Sequence, residues 1–244
     1  MTTFVVFAVL ILLLAAENYC TYRDEHPQKT VLRSYATNLC LMVFGDTVMS
    51  LLSVSSLVFV AAEYSGFGIL GGESGVFQFV VSIVLFDLVL YFWHLQRHRF
   101  RFLWKFHQTH HSDVVMNTTT AFRLHFVEIF FTTIVKTIFI VLVGVKSDLV
   151  LLNEMIAVIC AMFHHTNITF RGERLASFFM VMPYTHRVHH STEKREHHSN
   201  FGTIFSVWDR FFGTLKKTEP EELGQRELGE QGFLDILLLA RKMK

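Results

Sequence analysis

The chain has 244 residues, 51% of them hydrophobic and 18% charged, with 26 Phe, 3 Pro and 14 His. This balance excludes a disordered, collagen-like or disulfide-framed protein. A formal net charge of +1 gives no overall field for nucleic acid. Cys20, Cys40 and Cys160 are widely spaced in or beside apolar runs, as small buried hydrophobes are.

A bilayer core about 30 Å thick takes roughly 20 apolar residues per helix. In chain order the candidate spans are Phe4–Ala16, Leu39–Ala62, Val76–Gln96, Ile129–Val145 and Leu149–Phe163. Met1-Thr2-Thr3 lacks the positive charge that opens a cleaved signal peptide, so the first span reads as an anchor. Arg23, Lys29 and Arg33 follow it, whereas Glu63 to Gly75 holds no Lys or Arg. Arg97, Arg99, Arg101, Lys105 and Arg123 follow the third span, and the chain from Arg171 onward is again basic. Alternating crossings place all three basic regions on one side, the cytoplasmic one by the positive-inside rule. Lys146, Ser147 and Asp148 leave room only for a tight hairpin between the last two spans. Lys216 to Glu230 reads as a polar surface segment, and Phe233–Lys244 as an amphipathic end able to lie on the membrane. The expected fold is an all-α integral membrane protein with about four to five transmembrane helices and a cytoplasmic histidine-rich helical cap. Its expected home is a bacterial inner membrane or the endoplasmic reticulum.

Apart from His26, every histidine lies between His94 and His198. His94 and His98 form HxxxH, His107, His110 and His111 form HxxHH, and His186, His189 and His190 form HxxHH again. Residues i, i+3 and i+4 share a helix face, so each box offers two imidazoles to one point. The adjacent histidine lies about 100° further round and suits a second metal nearby. His164 and His165 stand at the end of the fifth span, and one of them completes a set of nine. Nine exceed what one tetrahedral zinc takes and suit two metals with open positions. Imidazole serves Zn, Cu, Fe and Ni alike. A single HxxxH arises readily by chance, but three boxes in order on one membrane face do not. His26 reads as solvated, and His197 and His198 fit no box.

With these boxes the sequence resembles the fatty acid hydroxylase superfamily, which includes sterol desaturases and related membrane oxygenases. The likeness runs from Asp87 to Thr214. It takes in the first two boxes, the Arg123-Leu124-His125 element ending at Glu128, the third box, Asn200-Phe201-Gly202, and Trp208-Asp209 through Gly213-Thr214. Leu95 and Phe201 depart from the family's usual Arg and Tyr, and neither position is a ligand. The resemblance implies residues 1–75 as membrane anchor, 76–214 as the di-metal catalytic domain and 215–244 as a polar and amphipathic tail. It implies two iron ions, for which zinc can substitute in purified protein, held by His94, His98, His107, His110, His111, His165, His186, His189 and His190. Asp87, His125, Glu128 and Asn200 are its candidates for orienting those ligands.

The implied activity is O2-dependent hydroxylation or desaturation of a lipid C–H bond. No flavin, haem or nicotinamide motif is visible, so electrons are expected from a separate redox protein docking near Arg97–Lys105 or Arg187–Arg195. Phe100, Phe102, Phe122, Phe126, Phe130 and Phe131 are expected to line a lipid entry. Two other readings use the same histidines: a zinc-dependent membrane hydrolase, in which the metal activates water, and a metal transporter or sensor. Transport sites lie near the bilayer midplane between broken helices, whereas these histidines gather at one face.

Overall fold

Backbone N–H and C=O groups in lipid must be satisfied within their own segment. The described residues of this protein do so as helices, with no strand and only isolated bridges at Met180–Phe205 and Ser191–Leu223. The computed structural model describes residues 2–52, 56–71, 75–229 and 231–242. The long helices are α1 (Thr2–Tyr19), α2 (Gln28–Leu51), α3 (Leu57–Tyr64), α4 (Gly75–Arg99), α5 (Arg101–His111), α6 (Phe126–Val143) and α7 (Ser147–His164). Short helices α8 (Glu173–Ala176), α9 (Pro183–His189), α10 (Lys194–His197) and α11 (Val207–Phe211) follow, and α12 (Phe233–Lys242) is the last among the described residues. A 3-10 turn, Thr118–Phe122, joins α5 to α6. By length and composition α1, α4, α6 and α7 can each cross a membrane.

The segment Leu39–Ala62 departs from expectation because it is not one helix. α2 ends at Leu51, and α3 starts afresh at Leu57 with the Ser56 hydroxyl accepting from the Val58 amide. Ser53, Val54 and Ser55 lie outside the described residues, as do residues 72–74 of the glycine-rich loop, Glu230, Met243 and Lys244. Ser34 bonds Asp113 at the histidine end, and the Val58 carbonyl accepts from Ser147 at the hairpin end. The hairpin between α6 and α7 is as tight as expected. Gly144 caps α6 at φ 76°, and a Cβ there would stand 1.8 Å from the Phe67 carbonyl, so only glycine fits.

α4, α6 and α7 pack through Ile83, Phe86, Leu90, Phe139, Ile140, Val143 and Ala157. Such contacts gain little over lipid, so polar ties between helices add what area cannot, about 0.6–2 kcal/mol each. Glu17 on α1 accepts from the Thr118 and Asn167 amides, and Asn153 on α7 donates to Ser82 on α4. Asp113 accepts from Ser34, Asn38 and Thr120. Burial raises its pKa, but Arg123 and these hydrogen bonds outweigh that and hold it below the usual carboxylate range. The segment after Lys216 is not merely surface: it runs back over the cap, where the Gly224 amide donates to the His190 carbonyl. α12 then packs on α2, with Ile236 buried against Leu41.

Candidate metal centre

Nine buried histidines meet at one end of the helices in two groups. One holds His94, His98, His107, His111 and His189; the other holds His110, His165, His186 and His190. Within each group, one ring nitrogen per residue lies within 4.8 Å of all the others. The chain reverses at Phe100, whose extended backbone (φ −93°, ψ 119°) separates α4 from α5 and turns the first box toward the second. In the second box His107 and His111 face the first group while His110 faces the second. The third box is crossed the other way, with His186 and His190 in the second group and His189 in the first. An i,i+4 pair thus serves each centre and the remaining residue reaches across.

Four of the nine rings are oriented from behind through Nδ1. His94 meets the Phe201 carbonyl at 3.0 Å, His189 the Ser199 carbonyl at 2.7 Å, and His165 the Ala161 carbonyl at 2.6 Å. His107 Nδ1 lies 2.9 Å from Glu128 Oε1. A proton on Nδ1 leaves the Nε2 lone pair free, the arrangement that orients metal-binding histidines. Accordingly His94, His107 and His189 each carry a buried Nε2 with no hydrogen-bond partner, pointed into the first group. In the second group His165 Nε2 is 3.0 Å from that of His110 and 3.1 Å from that of His186. Neighbouring ligands at about 2.1 Å from one ion stand about 3.0–3.4 Å apart, so the donor set fits a metal. Burial first, and then neighbouring imidazoles, hold His110, His111, His186, His189 and His190 well below the ordinary imidazole pKa. Burial brings His165 down to about 4. These rings are neutral at pH 7, the form that binds a metal.

The four candidate orienting residues divide. Glu128 touches His107 and also pairs with Arg97 on α4. Asp87 touches none of the nine imidazoles: its carboxylate accepts from the Ile204 and Phe205 amides and the Trp208 indole, anchoring the loop whose Phe201 carbonyl holds His94. Asn200 stands at φ 54° and bridges Thr185 to Lys216, which fixes the neighbouring Ser199 carbonyl under His189. His125 caps α6 by accepting from the Val127 amide and reaches none of the nine. His164 belongs to neither group, and His197 stacks on Trp104. Two residues with unassigned roles emerge. Asp209 accepts from the Phe201 and Gly202 amides and from Thr214, and Arg97 is the half-buried partner of the buried Glu128. The motif around Trp208 marked the first; nothing local marked the second.

Three surface expectations need correction. Arg97 is committed to Glu128 and faces the cavity beside the histidines, and Arg187 is buried against Glu173, the Ile168 carbonyl and the Tyr22 ring. The exposed basic residues of those stretches are Arg99, Arg101, Lys194 and Arg195. The named phenylalanines do not line the cavity beside the histidines. That cavity, about 180 Å³, is walled by Leu90, Trp93, Leu124, Thr132, Lys136 and Glu154 together with the rings. Phe100, Phe102 and Phe130 turn outward, since Glu128, Thr132 and Lys136 occupy the inward stripe of α6 at every fourth residue.

The buried neutral rings set a pH dependence. An imidazole whose folded pKa is lowered stays neutral while the unfolded chain takes a proton below about 6.5, so stability falls as pH drops. For His165 the loss runs from about pH 6.5 to about 4, at about 1.4 kcal/mol per pH unit. Metal-stripped protein in detergent should show a thermal midpoint that falls steeply from pH 7 to pH 5. A flat midpoint would contradict the neutral cluster.

The fold and site together define an all-helical membrane protein carrying a double polyhistidine centre at one end. Residues 79–214 match the fatty acid hydroxylase family, and the chain belongs to it. Ornithine lipid hydroxylase OlsE of Rhizobium tropici is 30% identical over 156 residues, 64% of this chain and 46% of that protein. Human alkylglycerol monooxygenase is 24% identical over 132 residues, 53% of this chain and 28% of the relative. Cholesterol 25-hydroxylase of Mus musculus is 23% identical over 170 residues, 67% of this chain and 56% of the relative. The chain therefore covers less than two thirds of the length of each. No solved structure matches.

Proposed function

We propose that the protein is a non-haem di-iron oxygenase that hydroxylates a lipid C–H bond. The observation that carries this is the pair of buried imidazole groups, with unpartnered nitrogens, opening on a cavity whose wall includes Leu90, Trp93, Leu124, Ala157 and Val158. Bound iron would supply O2 activation: one oxygen atom enters the C–H bond and the other leaves as water, using two electrons and two protons. The nine histidines would hold the two ions, His94, His98, His107, His111 and His189 one of them, and His110, His165, His186 and His190 the other. The chain's own work is orientation and exclusion of water. Carbonyls of Ala161, Ser199 and Phe201 and the Glu128 carboxylate hold four rings by Nδ1. The cavity wall between α4, α6 and α7 positions the lipid chain against them.

The unit is residues 76–214, held by an anchor of 1–75 and strapped by 215–244, with the histidines at the cytoplasmic membrane face. A separate electron-transfer protein is expected to meet the exposed cations Arg99, Arg101, Lys194 and Arg195. The relatives are named for ornithine lipid, alkylglycerol and cholesterol, all largely apolar molecules, which supports a lipid substrate. Lipid extracts from cells expressing wild type and His110→Ala, compared by mass spectrometry, test the reading. A wild-type product heavier by one oxygen supports it; loss of two hydrogens would make the enzyme a desaturase, and identical extracts would exclude both.

A further inference from the structure

The histidine-lined cavity is also walled by a charged pair on two of the helices long and apolar enough to cross a membrane. Lys136 Nζ on α6 lies 2.7 Å from Glu154 Oε2 on α7, and 5.7 Å above the Phe86 ring of α4. Both residues wall the same cavity as His94, His107, His110 and His186. Neither is fully enclosed: their side chains keep 18% and 26% exposure. Glu154 Oε1 is buried with no hydrogen-bond partner, and an ammonium has three protons of which this carboxylate takes one. The pair therefore has unused capacity both to accept and to donate.

Its depth is the same on the three helices. Lys136 follows Glu128, and Phe86 precedes His94, by about 12 Å of helix; Glu154 precedes His164 by about 15 Å. Ionisable side chains in a span are costly, face the interior and mark pathways or binding sites.

Resting on the hydroxylase reading, we propose that Lys136 and Glu154 form a subsite for a hydroxyl group of the substrate. A hydroxyl gives its proton to Glu154 and accepts from Lys136 while the pair stays closed. A free carboxylate or ammonium would have to break the pair. An extended chain advances about 1.2 Å per bond, so the hydroxyl lies about ten to twelve bonds from the carbon presented to the histidines. Lys136 and Glu154 thereby set both substrate choice and the position of attack.

The test uses the full chain in lipid nanodiscs without reductant, titrated with hexadecan-1-ol and with hexadecane and followed by tryptophan fluorescence, Trp93 being in the cavity wall. The alcohol should bind at least about tenfold tighter, since a site built for a hydroxyl rejects the analogue that lacks it. In the K136M/E154M double variant the two should bind within about threefold of each other, with the thermal midpoint retained. Equal binding by wild type, or an unchanged preference in the double variant, overturns the subsite. Should the double variant not fold, wild-type regiochemistry decides. Oxygen placed about ten to twelve carbons from the hydroxyl supports the subsite, and oxygen scattered along the chain refutes it. Failure of the hydroxylase reading looks different: no lipid gains oxygen, while the binding preference still stands or falls by itself.

Discussion

On the di-iron hydroxylase reading, replacing His186 by alanine should remove one of two metal ions per chain and lower lipid oxidation by about 10³-fold or more. The expectation follows from the division of the rings. His186 belongs to the four-residue group, so its loss leaves His110, His165 and His190, whereas the five-residue group keeps all its members. Residues acting as one unit are strongly non-additive once the unit is broken. Adding His107→Ala, which strikes the other group, should therefore take metal content toward zero while costing little further activity. Metal analysis and product yield on the same samples check both parts. A His186→Ala protein that retained two ions would overturn the grouping, and the His197→Ala protein, altered outside both groups, serves as the control.

How far this centre was legible beforehand depends on distance along the chain. The boxes were readable because i and i+4 on one helix face are neighbours by geometry, and α5 and α9 keep those faces. The apolar runs likewise marked α1, α4, α6 and α7, with ends moved by a few residues where polar termini extend the helices. The break between α2 and α3 was hidden, since the serines near it are tolerated within an apolar average. The mates of charged residues were also hidden. Arg97 looks like one more cation of a basic loop, and only the packing of α4 against α6 shows that it belongs to Glu128. Outward-turned phenylalanines misled for the same reason: an aromatic run states apolarity but not which residue faces a cavity. Asp87 combined both cases, an evident oddity in a span whose partners lie more than a hundred residues later.

Glu128→Gln should weaken metal binding about 10–100-fold and also destabilise the fold, and the two effects can be separated. Glu128 is 4% exposed and does two jobs, accepting from His107 Nδ1 and neutralising Arg97. Removing its charge leaves the half-buried Arg97 without its carboxylate, which costs about 1–3 kcal/mol. Replacing both members leaves no stranded charge, so R97M/E128Q should recover most of the lost thermal midpoint. It should not recover metal affinity, because a neutral amide holds the His107 ring less firmly and makes its nitrogen a weaker donor. Thermal midpoints and metal titrations of the single and double variants in detergent make the comparison. If affinity returned together with stability, Glu128 would be a partner for Arg97 alone and His107 would need no support behind it. If affinity stays low in a protein that is again stable, the carboxylate acts on the metal centre through His107.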